Sequence, residues 1–255
     1  MGINKTSIIH PSAQIDQDVK IGQFCIIDEN VKIGKGCHVY PYVHIMKNSI
    51  IGKNNTIHQG AIIGGLPQDL KFKGESTKVV IGDNNIIREH VTINRGTKAN
   101  GKTIVGNNCL LMAYVHIAHD CIVDDKIILA NGVQLAGHVK IGYHVTIGGI
   151  TGIHQFCKVG EHSFVGACRV ILHDVPPFIL ATGEPLQYSG INTVGLRRRK
   201  FNLNTRNKIK NAYKILYSSN CNVSQAVKEI KATIDNSKEI KSILDFIKKS
   251  DRGII

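Results

Sequence analysis

Three histidines and a glutamine recur at short intervals in the middle of this 255-residue chain. His116 and His119 lie in the run His-Ile-Ala-His-Asp, His138 follows Gly137, and Gln155 comes 18 residues after Gly137. Imidazole titrates near neutral pH, so it suits a general base, and it is also a common metal ligand. These residue types therefore allow two chemistries, proton transfer and metal binding.

The sequence around these residues carries an aliphatic side chain at every sixth position. From Val105 to Ile171 all twelve such positions are Val, Ile or Leu, and the same phase runs from Ile9 to Ile63. Neither an α-helix nor a simple β-strand has this spacing, whereas a parallel β-helix of hexapeptide repeats does. We therefore predict a mainly β fold in which residues 1–177 form such a β-helix.

The repeat also predicts which polar residues lie together. If each turn of the β-helix contains three hexads, residues 18 apart stack at about 4.8 Å. Gly137 then lies over His119, and Gln155 lies over Gly137, with His116 and His138 beside them. We expect these five residues to form one compact group on an edge of the β-helix.

Several segments depart from the hexad pattern. Polar insertions at 65–78 and 96–103 are predicted to project as loops, which often carry binding residues. Residues 178–200 contain Gly and Pro and end in an arginine run, so we expect an irregular linker. Apolar residues at helical spacing then predict a small α-helical domain over 201–255.

Composition limits the class of protein. The net charge is +13, and +10 of it lies between Gly195 and the end of the chain, which favours an acidic partner. We expect no nucleic-acid binding, because zinc-finger, RRM and KH signatures are missing from the sequence. No apolar stretch is typical of a membrane span or a signal peptide, so we expect a cytoplasmic protein without stable membrane insertion.

Nucleophilic catalysis finds no support in the motifs. The sequence contains no G-x-S-x-G pattern, which marks one class of serine nucleophile. Five of the seven cysteines share the small-residue position of the hexad, where cysteine acts as a buried hydrophobe: Cys25, Cys37, Cys109, Cys121 and Cys157. We therefore expect no covalent intermediate and no metal.

Taken together, the motifs resemble those of the acyl-[acyl-carrier-protein]–UDP-N-acetylglucosamine O-acyltransferases, hexapeptide-repeat enzymes of lipid A biosynthesis. The resemblance covers essentially the whole chain and rests on the hexads and on five segments: Gln68-Asp69-Leu70-Lys71, Leu110 to Asp120, Leu135 to Val139, His154 to Cys157, and Gly195 to Arg199. It implies a left-handed coil, a homotrimer and active sites between subunits.

The resemblance also implies a reaction. A 3-hydroxyacyl group would pass from the phosphopantetheine of acyl carrier protein to the 3-hydroxyl of UDP-N-acetylglucosamine, without a cofactor. His119 would be the general base, and the Gly137 N–H would stabilise the oxyanion. Asp120 would orient His119, although neighbouring strand residues normally point to opposite faces, so this role requires a bend in the chain.

Further residues receive substrate roles from the resemblance alone. Asp69, His116 and His138 would contact the sugar or position the base, and Lys71 would add a positive contact. His154 and Gln155 would hold the nucleotide sugar, whereas Asn192, Arg198 and Arg199 would meet the uridine diphosphate. Ala167 falls where acyl length is limited, and its small side chain predicts a long donor. Val194 stands where relatives can carry a carboxylate near the nucleoside.

Two other classes of enzyme are also compatible with parts of the sequence. The UDP-3-O-acylglucosamine N-acyltransferase of the same pathway shares the hexads, but it has an additional N-terminal domain, and here the hexads begin at Ile9. A zinc-dependent β-helical carbonic anhydrase would use three histidines, which His116, His119 and His138 could supply. The sequence also leaves open whether the acceptor carries a 3-hydroxyl or a 3-amino group.

Overall fold

The computed structural model describes residues 2–218 and 221–255, and its hexads coil into a three-walled parallel β-helix. Met1 and residues 219–220, which the predicted domain boundaries include, lie outside the described residues. Each wall is a sheet whose strands are mostly two residues long. The predicted fold class, a β-helix followed by a helical region, is confirmed.

The walls take their strands in rotation along the chain. The first wall contains Ile8–Ile9, Ile26–Ile27, His44–Ile45, Ile62–Gly65, Thr92–Asn94, His116–Ile117, Gln134–Leu135, Gly152–Ile153 and Val170–Ile171. The second contains Gln14–Ile15, Lys32–Ile33, Ser49–Ile51, Lys78–Ile81, Lys102–Val105, Ile122–Val123, Lys140–Ile141 and Lys158–Val159. The third contains Lys20–Ile21, His38–Val39, Thr56–Ile57, Ile86–Ile87, Leu110–Leu111, Ile128–Leu129, Thr146–Ile147, Phe164–Val165, Ile179–Thr182 and Gln187–Ile191.

The strand register gives three hexads per uninterrupted turn, as predicted. Ile117 pairs with Leu135, and Leu135 pairs with Ile153, each 18 residues further on. These aliphatic side chains point into the coil and are at most 3% exposed. Full burial of one such side chain stabilises a fold by roughly 1.5–3 kcal/mol. The five cysteines at the small-residue position are buried too, as expected.

The corners between walls use the left-handed backbone conformation. Between the first and second walls, positive φ angles occur at Asn30, Asn48, Asp120 (61°), His138 (64°) and Phe156 (67°). Asn, Asp and His tolerate this region better than most residues do. The reversal of the chain at this corner is what allows consecutive side chains to approach one another.

Both projecting loops leave this same corner, because each follows a strand of the first wall and precedes one of the second. They cover 66–77 and 95–101, slightly less than predicted. The difference arises because Lys78 to Ile81 pair in register with Lys102 to Val105, which extends the strands into the predicted loops.

The segment 178–200 is more regular than expected. Ile179–Thr182 pairs parallel with Phe164–Val165 and antiparallel with Gln187–Ile191, and helix α1 follows at Thr193–Arg198. Ile179 and Ala181 are fully buried and so continue the core of the β-helix. Of the Gly and Pro residues that suggested an irregular linker, Gly183 and Pro185 lie in the hairpin turn, whereas Gly190 lies in the strand Gln187–Ile191 and Gly195 in α1.

Three helices complete the chain: α2 (Leu203–Ser218), α3 (Val223–Thr233) and α4 (Lys238–Lys248). The predicted apolar face of α2 is buried at Ile209, Ala212 and Tyr213. The Tyr213 hydroxyl donates a hydrogen bond of 2.5 Å to the Pro177 carbonyl and ties α2 to the end of the β-helix. None of the helices in the described part of the chain has the length and apolarity needed to cross a bilayer.

Candidate active site

The His119–Asp120 pair is the centre of the candidate site. The positive φ of Asp120 turns its carboxylate back, so that Oδ2 lies 2.9 Å from His119 Nδ1. The two side chains are 12% and 0% exposed. An ionised carboxylate only accepts hydrogen bonds, so the contact places the imidazole proton on Nδ1 and leaves the Nε2 lone pair available. The bend that the orienting contact requires is therefore present.

The carboxylate of Asp120 is held from its other side by the loop 95–101. The Thr97 N–H donates to Oδ1 at 3.0 Å, and the Thr97 hydroxyl donates to Oδ2 at 2.6 Å. Burial alone would raise the pKa of Asp120, but the hydrogen bonds from Thr97 and His119 outweigh burial and lower this pKa below its usual value. Asp120 is therefore ionised at neutral pH.

Gly137 lies against the imidazole, as the stacking of turns predicted. A Cβ atom added to Gly137 would lie 2.6 Å from Cε1 and 2.7 Å from Nε2 of His119. The Gly137 N–H donates no hydrogen bond within the described residues. Such free N–H groups recur at these corners, but this one lies beside a histidine and can meet a developing negative charge.

His138 approaches the same carboxylate from the next turn. Its Nε2 lies 3.7 Å from Asp120 Oδ2, and its ring meets that of His119 edge to face at a centroid distance of 5.2 Å. Phe156 stacks on the other side of His138 at 4.5 Å. Burial lowers the pKa of His138, while the charges of Asp120 and Asp69 act in the opposite direction.

A cavity of about 610 Å³ opens in front of these groups. His119, His116, Gly137 and Gln155 line its polar part, together with His154, whereas Val170 and Leu172 give it an exposed apolar end. His116 contacts the Thr92 hydroxyl through Nδ1 at 2.7 Å, and burial lowers its pKa. The cavity thus joins a polar region to an apolar strip.

The loop 66–77 contributes Gln68 to this cavity, whereas Asp69 and Lys71 lie outside its lining. Asp69 Oδ1 accepts a hydrogen bond from the Lys71 N–H at 2.9 Å, which shapes the loop. Beneath the loop, Arg95 is only 3% exposed, and its guanidinium lies 5.5 Å from the centre of the Phe72 ring.

Asn192, Arg198 and Arg199 line a separate cavity of about 1000 Å³ together with Val194. Within one chain the structure does not bring them to His119. Asn192 caps helix α1 through Gly195 N–H and donates to the His162 carbonyl at 2.9 Å. Arg199 donates to His162 Nδ1 at 3.1 Å, whereas Arg198 is exposed.

Ala167, the predicted acyl-length residue, lies apart from His119 in the sequence. Ala167 is exposed on the corner between the third and first walls, three residues before the strand Val170–Ile171 begins. Reasoning from the sequence missed Thr97 and Phe156. The only signal for Thr97 was its place in a loop that interrupts the hexads.

The residues that could bind a metal ion differ from the three histidines considered in the sequence. Ligand atoms of His119, Asp120 and His138 all lie within 4.8 Å of one another. His116 is outside this group and contacts Thr92 instead. Asp120 replaces the third histidine in the only such group among the described residues, so the zinc hypothesis loses its predicted ligands.

A parallel β-helix of hexads with a histidine–carboxylate pair on its outer corner defines a hexapeptide-repeat transferase. Residues 30–65 and 102–137 match the family model of the bacterial transferase hexapeptide. Residues 174–255 match the model of UDP N-acetylglucosamine O-acyltransferase, domain 2. Parts of the β-helix and the C-terminal region thus each match a family model.

Full-length relatives agree with these models. The acyl-[acyl-carrier-protein]–UDP-N-acetylglucosamine O-acyltransferase of Thiobacillus denitrificans is 41% identical over 254 residues, 99% of this chain and 98% of that protein. The solved UDP-N-acetylglucosamine acyltransferase of Bacteroides fragilis is 47% identical, with a TM-score of 0.98 and 99% of both chains covered. The Arabidopsis enzyme is 31% identical, with a TM-score of 0.89 and the same coverage.

The chain belongs to the acyl-[acyl-carrier-protein]–UDP-N-acetylglucosamine O-acyltransferase family and is an acyltransferase of that family. The resemblance stated from the sequence is confirmed. This membership favours the O-acyltransferase over the N-acyltransferase and the carbonic anhydrase type.

Proposed function

We propose that the protein transfers a 3-hydroxyacyl group from acyl carrier protein to the 3-hydroxyl of UDP-N-acetylglucosamine, the first step of lipid A biosynthesis, in the cytoplasm. The names of its relatives support the two substrates. The single observation that carries the mechanism is the contact between Asp120 and His119 Nδ1, which leaves Nε2 free beside Gly137 at the cavity.

In this mechanism His119 acts twice. Its Nε2 takes the proton of the sugar 3-hydroxyl while that oxygen attacks the thioester carbonyl carbon. A C–O bond forms, the carbonyl oxygen becomes an oxyanion, and the Gly137 N–H donates to it. When the C–S bond breaks, the departing thiolate takes the proton from the His119 imidazolium, and the base is restored.

Acyl transfer by the wild type and by His119→Ala tests this function. We expect transfer from 3-hydroxyacyl carrier protein to UDP-N-acetylglucosamine in the wild type and near-total loss in the variant. Among the described residues that line the cavity, no other imidazole has a carboxylate behind it. The oligomeric state and melting temperature of both proteins serve as controls. Substantial transfer by His119→Ala would refute the role of this residue.

Two cavities in one chain fit a site shared between copies in a homotrimer. Near its start the first wall exposes Ile8 (67%), Ile26 (37%) and Ile62 (40%), with His44 between the last two, and near its end it exposes Val170 (63%). These side chains give another copy apolar surface to cover. In this arrangement Arg198 of one copy would bind the diphosphate of a sugar held by His119 of another, since a guanidinium fork suits phosphate oxygens.

A mixing experiment tests the shared site. His119→Ala and Arg198→Ala subunits, which we expect to be inactive when assayed separately, are unfolded and refolded together, and light scattering measures the size of the product. We expect trimers that recover part of the wild-type activity, because some interfaces then contain both intact residues. Mixtures as inactive as the separate variants would refute sharing, and monomers would refute the trimer.

We assign the remaining predicted contacts to the same sugar. His116, His154 and Gln155 line the cavity and would hold the nucleotide sugar, while Asp69 and Lys71 would reach it from the loop 66–77. Ala167 leaves the apolar strip open, so we propose a long 3-hydroxyacyl donor. Lipid A from the source organism should then carry long 3-O-linked chains by mass spectrometry, and only short chains there would contradict this.

Acyl carrier protein, the acidic donor, would meet the helical region. Helices α3 and α4 enclose a groove of about 860 Å³ with an apolar floor that includes Val227 and Leu244. Four lysines line it against a single acidic residue, Asp245: Lys228, Lys231, Lys241 and Lys248. An apolar floor with a basic rim suits an amphipathic acidic helix.

A further inference from the structure

Both hydrogen-bond donors of Thr97, its N–H and its hydroxyl, contact the carboxylate of Asp120. Its N–H reaches Asp120 Oδ1 at 3.0 Å and Oδ2 at 3.2 Å, and its hydroxyl reaches Oδ2 at 2.6 Å. The Asn100 N–H adds a contact to Oδ1 at 3.3 Å. Thr97 is 7% exposed and Asp120 is 0% exposed, so water does not replace these donors readily. Hydrogen bonds of this type to an ionised group are short and strong.

The orientation of this carboxylate has two alternatives. His119 Nδ1 lies 2.9 Å from Oδ2, and His138 Nε2 lies 3.7 Å from the same atom. A small rotation of the carboxylate would exchange one imidazole for the other. The Thr97 hydroxyl contacts Oδ2 itself and therefore restricts the rotation that separates these two arrangements.

The loop that carries Thr97 is anchored at both ends. At its first residue the Arg95 N–H donates to the Gly65 carbonyl at 2.9 Å, and directly after the loop Lys102 pairs with Lys78. The Asp120 N–H in turn donates to the Thr103 hydroxyl at 2.9 Å. These contacts fix the distance between the loop and the corner, so the position of the Thr97 hydroxyl is set by the strands.

We propose that Thr97 is a positioning residue for acyl transfer. Its hydroxyl and N–H hold the Asp120 carboxylate toward His119 Nδ1, which keeps the imidazole proton on Nδ1 and the Nε2 lone pair toward the cavity. This inference rests on the proposed role of His119 as the general base. Thr97 itself touches neither substrate nor the reacting atoms.

Three variants test the hydroxyl. Thr97→Val keeps the shape and the N–H but removes the hydroxyl, Thr97→Ser keeps the hydroxyl, and Thr97→Ala replaces the valine variant if that one does not fold. We expect kcat to fall by about tenfold to a hundredfold in Thr97→Val, the range found for partners that orient metal-binding histidines, with KM within about twofold. Thr97→Ser should retain most of the wild-type kcat.

A double-mutant cycle separates positioning from a general structural effect. If Thr97 acts through Asp120, the valine substitution should change kcat little in an Asp120→Asn background, because the oriented carboxylate is already lost. Thr103→Val serves as the matched control. It removes a hydroxyl that contacts the Asp120 backbone N–H and should lower the melting temperature more than it lowers kcat.

Proton NMR gives a readout that stability alone would not move. The wild type should show a downfield Nδ1–H signal from His119. This signal should be lost in His119→Ala, weakened in Thr97→Val and retained in Thr97→Ser. Wild-type kcat in Thr97→Val, or losses that multiply in the double mutant, would overturn the positioning role while His119→Ala stays inactive. Full activity of His119→Ala would instead overturn the proposed function and this inference with it.

Discussion

The catalytic pair depends on a conformation that most residues avoid. Asp120 follows His119 directly, and only the positive φ at the corner brings both side chains together on one side of the chain. Asp is among the residues that tolerate this region at low cost. The same residue therefore satisfies the backbone of the corner and the chemistry of the site, and a substitution has to be chosen to separate the two.

Asp120→Asn makes that separation. The backbone N–H groups of Thr97 and Asn100 require an oxygen at the Oδ1 position, so the amide places its NH₂ group at the Oδ2 position toward His119. The Thr97 hydroxyl then turns to accept from this NH₂ group, and the imidazole proton is forced onto Nε2. We expect kcat to fall by about 100-fold to 10,000-fold, as in other histidines held in the wrong tautomer.

Steady-state kinetics and thermal unfolding measure this effect. Asp125→Asn is the matched control, because the Asp125 carboxylate accepts hydrogen bonds from Asn107 at a different corner and, within the described residues, meets no histidine side chain. Equal losses of activity in the two variants would contradict a specific role for Asp120.

Gly137 is required for close approach. A methyl group there would lie within 2.7 Å of two atoms of the His119 ring, so Gly137→Ala must displace the imidazole. We expect activity to fall by at least about 100-fold, because a misplacement near 1 Å has effects of that size. Acyl-transfer kinetics and circular dichroism check this prediction.

Gly2→Ala serves as the control for Gly137→Ala. It adds a methyl group into open space, with no atom within 4 Å, and Gly2 does not line the cavity. If Gly137→Ala kept wild-type activity, the packing of His119 on Gly137 would not matter for catalysis.

At the scale of elements, periodicity predicted what repeats and missed what does not. The hexads predicted the walls and the stacking of Gly137 on His119, because inward aliphatic residues fix the register of every turn. The contact between Thr97 and Asp120 spans 23 residues and depends on the path of one loop, for which the sequence has no periodic signal. The hairpin after residue 178 was missed because its turn contains the same Gly and Pro as a linker.

Helix α1 is anchored through one buried histidine. The His162 carbonyl accepts hydrogen bonds from Asn192 and Arg199, and its Nδ1 accepts from the Arg199 guanidinium. Burial, followed by the charge of Arg199, lowers the pKa of His162 to about 3. The imidazole is therefore neutral in the folded protein, and protonation would break the contact with Arg199.

The sign of the resulting pH dependence follows from proton uptake. Between pH 6.5 and about 3 the unfolded chain binds a proton at His162 that the folded chain does not. The part of the stability that depends on His162 is therefore fully present above pH 6.5 and is lost on acidification. This loss reaches about 3 kcal/mol at pH 4, since one pKa unit corresponds to about 1.4 kcal/mol.

His162→Asn tests this contribution. Asparagine accepts a hydrogen bond from Arg199 and tolerates positive φ, but it does not titrate. We expect a lower overall stability and a shallower loss between pH 6.5 and pH 4 by urea unfolding, with His10→Asn as a control at an exposed histidine. An unchanged slope would show that His162 does not carry the acid sensitivity.

At the scale of the molecule, charge is separated along its length. The residues from 195 onward have a net charge of +10, and the preceding 194 have only +3. The groove between α3 and α4 lies in the basic part and is lined by four lysines. A field of this kind raises the association rate of an acidic partner and is screened by salt.

Salt should therefore distinguish the two kinds of acyl donor. For acyl carrier protein we expect kcat/KM to fall by about tenfold between low salt and about 0.5 M, because screening removes the electrostatic part of the association rate. For a small, uncharged thioester we expect a much smaller change. The double variant Lys231→Glu/Lys241→Glu should show the same loss of kcat/KM at low salt, and only with the carrier protein as donor. The control variant Lys35→Glu/Lys53→Glu makes the same change of charge on an exposed corner of the β-helix and should keep the wild-type kcat/KM. Equal salt dependence of both donors would show that the basic helices do not recruit the carrier protein.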